Sequence, residues 1–140
     1  MSLLTLTYDV NGEDFISAGH ASEDVKRTLK SIGMPSGVIR KVAIAMYEGE
    51  INMVIHANGG IATVDIGEKE IVVTLKDTGK GIADIEQAMQ EGFSTATDAI
   101  RELGFGAGMG LPNMKKYSDE MHINSIVGKG TTVTLKFIVA

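Results

Sequence analysis

The sequence predicts an α/β protein built as a two-layer sandwich, a mixed β-sheet with helices on one face. Three observations predict it. Apolar and polar residues alternate near both ends of the chain, the mark of half-buried strands. Two long stretches after the first strand carry apolar residues at helical spacing. Two adjacent strand-like runs, joined by a short turn, occupy the middle.

Each element has a local reason. Leu4, Leu6, Tyr8 and Val10 alternate with polar residues, and Asn11-Gly12 ends this first strand. From Asp14, apolar residues recur at helical spacing through Phe15, Ala18, Val25, Leu29 and Ile32. Gly33 then stands where a helix-closing glycine belongs. Pro35 and Ser36 open a longer helix running to about Ala57. Its apolar residues (Ile39, Val42, Ala43, Ile44, Met46, Ile51, Met53, Ile55) nearly encircle it, so most of its sides are buried. Asn58-Gly59-Gly60 stops it.

Strands over 61–66 and 70–76 flank the turn Gly67-Glu68-Lys69. The glycine-bearing loop Asp77-Thr78-Gly79-Lys80-Gly81 follows, then a short helix over 84–90 and an aperiodic loop over 92–104. A glycine cluster, Gly104 to Gly110, leads into a helix that ends near Tyr117. The last hairpin pairs 121–127 with 131–139 across Gly128-Lys129-Gly130, and Val133, Leu135, Phe137 and Val139 alternate along it. The crossover connections are long enough for some parallel pairing.

Composition narrows the function classes. A chain of 140 residues suits one domain, 1–140, with one core. Its net charge of -5 argues against a nucleic-acid groove. It has no cysteine, which removes disulfides, thiolate metal sites and cysteine nucleophiles. No basic segment opens the chain as in a signal peptide, and Glu48 and Glu50 interrupt its best apolar stretch. These features point to a cytoplasmic protein with no membrane partner.

Three clusters can carry chemistry. Glu48, Asn52 and His56 are spaced four apart and share one stripe of a mostly apolar helix. The stripe is either a solvent-facing polar edge or a site where a carboxylate accepts a proton and an amide oxygen ligates a hard cation. Asp77, at a strand end before Gly79 and Gly81, either caps a turn or accepts a hydrogen bond from an exocyclic amine. Gly106-Ala107-Gly108-Met109-Gly110 is either a flexible turn or a phosphate cradle at a helix N-terminus. It is not a P-loop, because no Gly-Lys-Ser/Thr follows, and it is a poor dinucleotide fingerprint, because it follows a loop rather than a strand.

The order of these clusters is more specific than any one of them. Glu-x-x-x-Asn on a helix, Asp-x-Gly-x-Gly after a strand, Gly-x-Gly-x-Gly opening a helix and Gly-Thr in the last hairpin occur in sequence. This order resembles the histidine-kinase-like ATPases, the superfamily of gyrase B, Hsp90, MutL and sensor kinases, and the resemblance covers nearly the whole chain. It implies the Bergerat ATP-binding fold, with ATP and Mg²⁺ as cofactors. It implies Glu48 as the catalytic carboxylate that orients or deprotonates the nucleophile, and Asn52 as the Mg²⁺ ligand between the phosphates. It implies Asp77 as the reader of the adenine amino group, with Gly79 and Gly81 shaping the adenine pocket. Gly106, Gly108, Gly110 and Leu111 match the box beside the phosphates, Thr131 supports the adenine, and 92–105 forms the lid.

The chain is short for gyrase, Hsp90 or MutL and shows no phospho-acceptor helices of a sensor kinase. The run Glu91-Gly92-Phe93-Ser94-Thr95, then Leu111-Pro112 before a lysine-rich helix, is similar to the stressosome-type switch kinases among the anti-sigma regulators. That similarity implies a serine/threonine protein kinase acting on a STAS-domain, anti-anti-sigma-type protein. The alternative is a nucleotide-dependent module that sequesters a sigma factor or activates a phosphatase without transfer. A homodimer is a further partner the family implies. Two features depart from the pattern. Gly49 weakens the helix by up to roughly 1 kcal/mol relative to Ala. Glu50 adds a second carboxylate, set roughly 200° round the helix from Glu48, so Glu50→Ala is expected to have little effect on phosphoryl transfer.

Overall fold

The computed structural model describes residues 2–11, 19–57, 59–79 and 110–139. The expected helix over 84–90 and the loop over 92–104 lie outside these residues. So do three glycines of the expected nucleotide site, Gly81, Gly106 and Gly108. The first helix, expected from Asp14, begins at His20, because Gly19 before it has a left-handed φ of 97° that no helix continues through.

Five strands and three helices are described: β1 (Ser2–Asn11), α1 (His20–Ser31), α2 (Ser36–Ala57), β2 (Gly59–Gly67), β3 (Glu70–Lys76), α3 (Gly110–Tyr117), β4 (Glu120–Ile126) and β5 (Gly130–Ile138). The strands form one sheet in the order β1-β2-β3-β5-β4.

The sheet refines one expectation. All its pairings are antiparallel, so among the described strands it is not mixed. The connections explain this. Between β1 and β2 the chain runs through two helices, which return it to the sheet end it left: Asn11 at the end of β1 pairs with Gly59 at the start of β2. Between β3 and β4 it crosses over, but β5 inserts between those two strands and pairs antiparallel with both.

Alternation places the core on the helix side. Ala62, Val64 and Ile66 of β2, Ile71, Val73 and Leu75 of β3, and Val133, Leu135 and Phe137 of β5 are buried there. They pack with Val25 and Leu29 of α1, Val42, Ala45, Met46, Met53 and Val54 of α2, and Leu111 and Met114 of α3. The other face of the sheet carries Thr7, Thr63, Thr74 and Thr134, which stand opposite one another across four strands. Two layers with helices on one face are the architecture the apolar pattern predicts. The long helix also has the predicted bounds, and it crosses the sheet closely because of Gly49. A Cβ at that position would collide with Leu75 Cδ1 and stand 3.0 Å from Met114 Cε. No described helix is long and apolar enough to cross a membrane.

Candidate nucleotide site

The expected site residues that are described gather in two groups at one end of the sheet. The first group is a cross-strand row. Beyond the last β3–β5 register pair, Lys76↔Thr132, the next rung brings Asp77 opposite Thr131. The Asp77 N–H donates to the Thr131 carbonyl at 2.9 Å, and the Thr131 N–H donates to Asp77 Oδ1 at 3.1 Å. Asp77 Oδ1 also accepts the Gly79 N–H at 2.9 Å. One carboxylate oxygen therefore closes the turn, as the turn-capping reading has it. The other oxygen makes no hydrogen bond among the described residues.

The row continues on both sides. Ser125 pairs with Thr131 in the β4–β5 register, and their hydroxyls lie 2.8 Å apart. Gly60 stands next to Asp77 on β2. A Cβ on Gly60 would run into the Lys76 carbonyl and come within 3.0 Å of Asp77 Cα. A Cβ on Gly130 would run into the Asp77 carbonyl and lie 2.9 Å from Thr78 Cα. Gly130 also has φ 135°, a conformation L side chains rarely adopt. These two glycines let backbone close around Asp77. The sequence marks them only as turn or helix-stop residues, and the only available signal was the position of Gly130 beside Thr131.

The second group lies where α2 meets α3. Glu48 and Asn52 are half-buried on the α2 face turned toward α3. Glu48 Oε1 accepts from Asn113 Nδ2 at 3.5 Å, a long contact, and Asn52 Nδ2 donates to Met114 Sδ at 4.0 Å. The Asn52 amide nitrogen is turned to sulfur, and its carbonyl oxygen makes no hydrogen bond among the described residues. Burial raises the proton affinity of Glu48 above its ordinary value, and the Asn113 contact opposes that in part. Gly110 is the first residue of α3, near Glu48 and Asn52, and the rest of the glycine cluster lies outside the described residues. Leu111, expected beside the phosphates, is buried in the core and anchors that helix. His56 lies in α2, and its side chain falls outside the described residues.

The two groups are linked through the core. Met53, next to Asn52, reaches the Gly60–Asp77 backbone, and Leu75 lies under Gly49 beside Met114. The solvent-edge reading of the polar stripe does not hold for Glu48 and Asn52, which face another helix.

Glu50, set aside from the chemistry in the sequence, has a structural role. It is only 3% exposed, and its oxygens accept the N–H groups of Gly19 at 3.0 Å, Ala21 at 3.1 Å and Ser22 at 3.0 Å. It caps the N-terminus of α1 from a different helix. The glycine at the α1 N-cap, with φ 97°, has no side chain to do so.

A profile of the histidine kinase-like ATPase domain matches residues 16–137. The chain belongs to that family. Membership in a histidine kinase-like ATPase family implies ATP use. The serine/threonine-protein kinase RsbT of Bacillus subtilis (strain 168) is 30% identical over 124 residues, covering 86% of this chain and 85% of its own. The anti-sigma F factor of Caldanaerobacter subterraneus subsp. tengcongensis is 37% identical over 102 residues, covering 69% and 68%. Among solved structures, that of the RsbU and RsbW domains of a Mycobacterium tuberculosis protein aligns with a TM-score of 0.63 at 18% identity. The alignment covers 96% of this chain and 32% of that one, and it shows that the fold is shared.

The residues present suit the groups this family implies. An adenine needs an acceptor for its amino group. Asp77, with one oxygen making no hydrogen bond among the described residues, offers the acceptor. A hard cation needs an oxygen ligand, and Asn52 has one turned away from its sulfur contact.

Proposed function

We propose that this protein is an ATP-dependent serine/threonine kinase of the anti-sigma type, acting on a STAS-domain protein. The observation that carries the reading is the Glu48–Asn52 pair on α2, facing the first turn of α3 at the sheet end that also holds Asp77 and Thr131. Bound ATP supplies the γ-phosphoryl group. Asp77 accepts the adenine amino hydrogen and Thr131 supports the ring. The α3 N-terminus, which begins at Gly110, turns backbone N–H groups to the phosphates, and Gly106 and Gly108 belong to the same phosphate box. Asn52 lends its carbonyl oxygen to Mg²⁺. Glu48 takes the proton of an incoming serine or threonine hydroxyl as the oxygen–phosphorus bond forms and the bond to the departing ADP oxygen breaks. Its burial suits this role, since a carboxylate with raised proton affinity is a better base. Phosphoryl transfer needs mainly positioning and charge neutralisation, which these groups provide. The similarity to RsbT supports the kinase reading.

A second reading has a specific observation behind it. Relatives at 37% identity carry the name anti-sigma F factor. A module that sequesters a sigma factor, with nucleotide setting its shape, fits that name, and sequestration and transfer can coexist. Incubating the purified protein with labelled ATP and STAS proteins of the same cell separates them. Labelling of a STAS protein that disappears in Glu48→Ala supports the kinase. Nucleotide-dependent binding of a partner with no label transferred supports the sequestering module. The homodimer and cytoplasmic location that the family resemblance implies belong to the same proposal.

A further inference from the structure

Glu48 faces α3 with only one of its oxygens engaged. Oε1 accepts from Asn113 Nδ2 at 3.5 Å, and Oε2 makes no hydrogen bond among the described residues. Asn113 is half-buried in the first turn of α3, and this is its side chain's only hydrogen bond among the described residues. Near a helix start, an asparagine side chain ordinarily turns to the nearby backbone. This one reaches across to α2 instead, at some cost in helix propensity relative to alanine.

The turn that carries Asn113 is held in place. Leu111 and Met114, on either side of it in sequence, are buried at 8% and 1% exposure. Gly49 lets that turn close on α2, since a Cβ there would stand 3.0 Å from Met114 Cε. The Asn113 amide is therefore kept beside Glu48. A contact of 3.5 Å is long for a hydrogen bond, but catalytic hydrogen bonds are often long before substrate binds and tighten in the reacting complex. A neutral amide also aims a carboxylate without the counter-charge that a lysine would bring, and so leaves it a proton acceptor.

The end of a glutamate side chain rotates broadly and presents either oxygen in several directions. Engaging Oε1 leaves Oε2 as the atom that takes the hydroxyl proton while the bond to phosphorus forms and the bond to the ADP oxygen breaks.

We infer that Asn113 is a positioning residue for phosphoryl transfer, which holds Glu48 Oε1 from α3 so that Oε2 is presented to the incoming hydroxyl. The inference rests on the reading of Glu48 as the base. Asn113 acts through Glu48 and across the α2–α3 contact.

The test measures transfer from labelled ATP to STAS proteins of the same cell, with ATP affinity read by calorimetry. Asn113→Ala should lower kcat about tenfold, the worth of about one hydrogen bond, with KM and ATP affinity unchanged. Asn113→Asp keeps the size of the side chain, and an acid in the first turn suits the helix dipole, so the fold and packing are preserved. It lacks the donor and sets a like charge beside Glu48, so its kcat should fall at least as far. Asn113→Gln keeps a donor and should recover most of the rate. In a Glu48→Ala background, Asn113→Ala should cost nothing further. A wild-type kcat in Asn113→Asp, a fall in ATP affinity, or the same loss with and without Glu48 would overturn the role of Asn113 while leaving Glu48 as the base. Normal transfer by Glu48→Ala, or no transfer by the wild type, would overturn the kinase reading and this inference with it.

Discussion

Glu50 is the position where a change should cost most stability for least chemistry. Its carboxylate accepts three backbone N–H groups at the start of α1 and is 3% exposed. An ordinary cap loses about 0.5–2 kcal/mol on truncation. Glu50→Ala strands three donors at once, two of them in buried contacts. At the low end of about 1 kcal/mol per orphaned donor, the loss is about 3 kcal/mol. That is a large share of a total stability of about 5–15 kcal/mol. For a chain of this length it should lower Tm by roughly 10 °C. Glu50→Gln keeps one acceptor oxygen, enough for Gly19 and Ala21, but turns an amine toward the Ser22 N–H, so its loss should fall between wild type and Ala. Urea denaturation without nucleotide, followed by far-ultraviolet circular dichroism, measures both. If Glu50→Ala unfolds within about 0.5 kcal/mol of wild type, the range of an ordinary surface substitution, the cap does not hold α1 and the argument fails.

The remaining predictions concern the site. Glu48→Gln should slow phosphoryl transfer by about 10²–10⁴-fold with ATP affinity nearly unchanged, read in a transfer assay against calorimetry. It should also raise stability at neutral pH. Burial raises the folded proton affinity of Glu48, so the ionised carboxylate costs stability fully above its folded pKa, and the cost is relieved as pH falls to the unfolded value. By the same sign, wild-type transfer should fall as pH drops through a pKa above the ordinary glutamate value, in a rate-versus-pH profile. Asp77→Asn should weaken ATP binding at least roughly tenfold, the worth of a charged-acceptor bond, in calorimetry with circular dichroism confirming the fold. Asn52→Ala should remove the Mg²⁺ dependence of ATP binding and abolish transfer; normal transfer would show that Asn52 is not the ligand.

What the sequence made legible was periodic or ordered along the chain. The alternation of Val133, Leu135 and Phe137 predicted a strand with one face on the core, and these residues are buried. The bounds of α2 follow from Pro35-Ser36 and the glycines after Ala57, because both are backbone signals that act locally. The antiparallel pairing was less visible. It depends on β5 inserting between two earlier strands, which no local pattern encodes. At the site, spacing correctly put Glu48 and Asn52 on one face of a helix. It did not say what that face meets, because Asn113 and Met114 lie more than sixty residues later.

Gly49 and Glu50 show why that gap arises. Along the helix, Gly49 reads as a weak point of up to roughly 1 kcal/mol relative to Ala. Against the sheet, any side chain larger than hydrogen would displace Leu75 and crowd Met114. Overpacking a core typically costs about 1–3 kcal/mol, which outweighs the gain in helix propensity. The glycine is thus a term in the packing between α2, β3 and α3, and the proximity it permits sets Glu48 and Asn52 against α3. Glu50 likewise reads as a surplus charge until α1 is placed beside it, where its three N–H partners turn a buried charge from a cost into a cap. Both residues depart from the pattern their neighbours set, and in both the compensation comes from an element distant in sequence and adjacent in space.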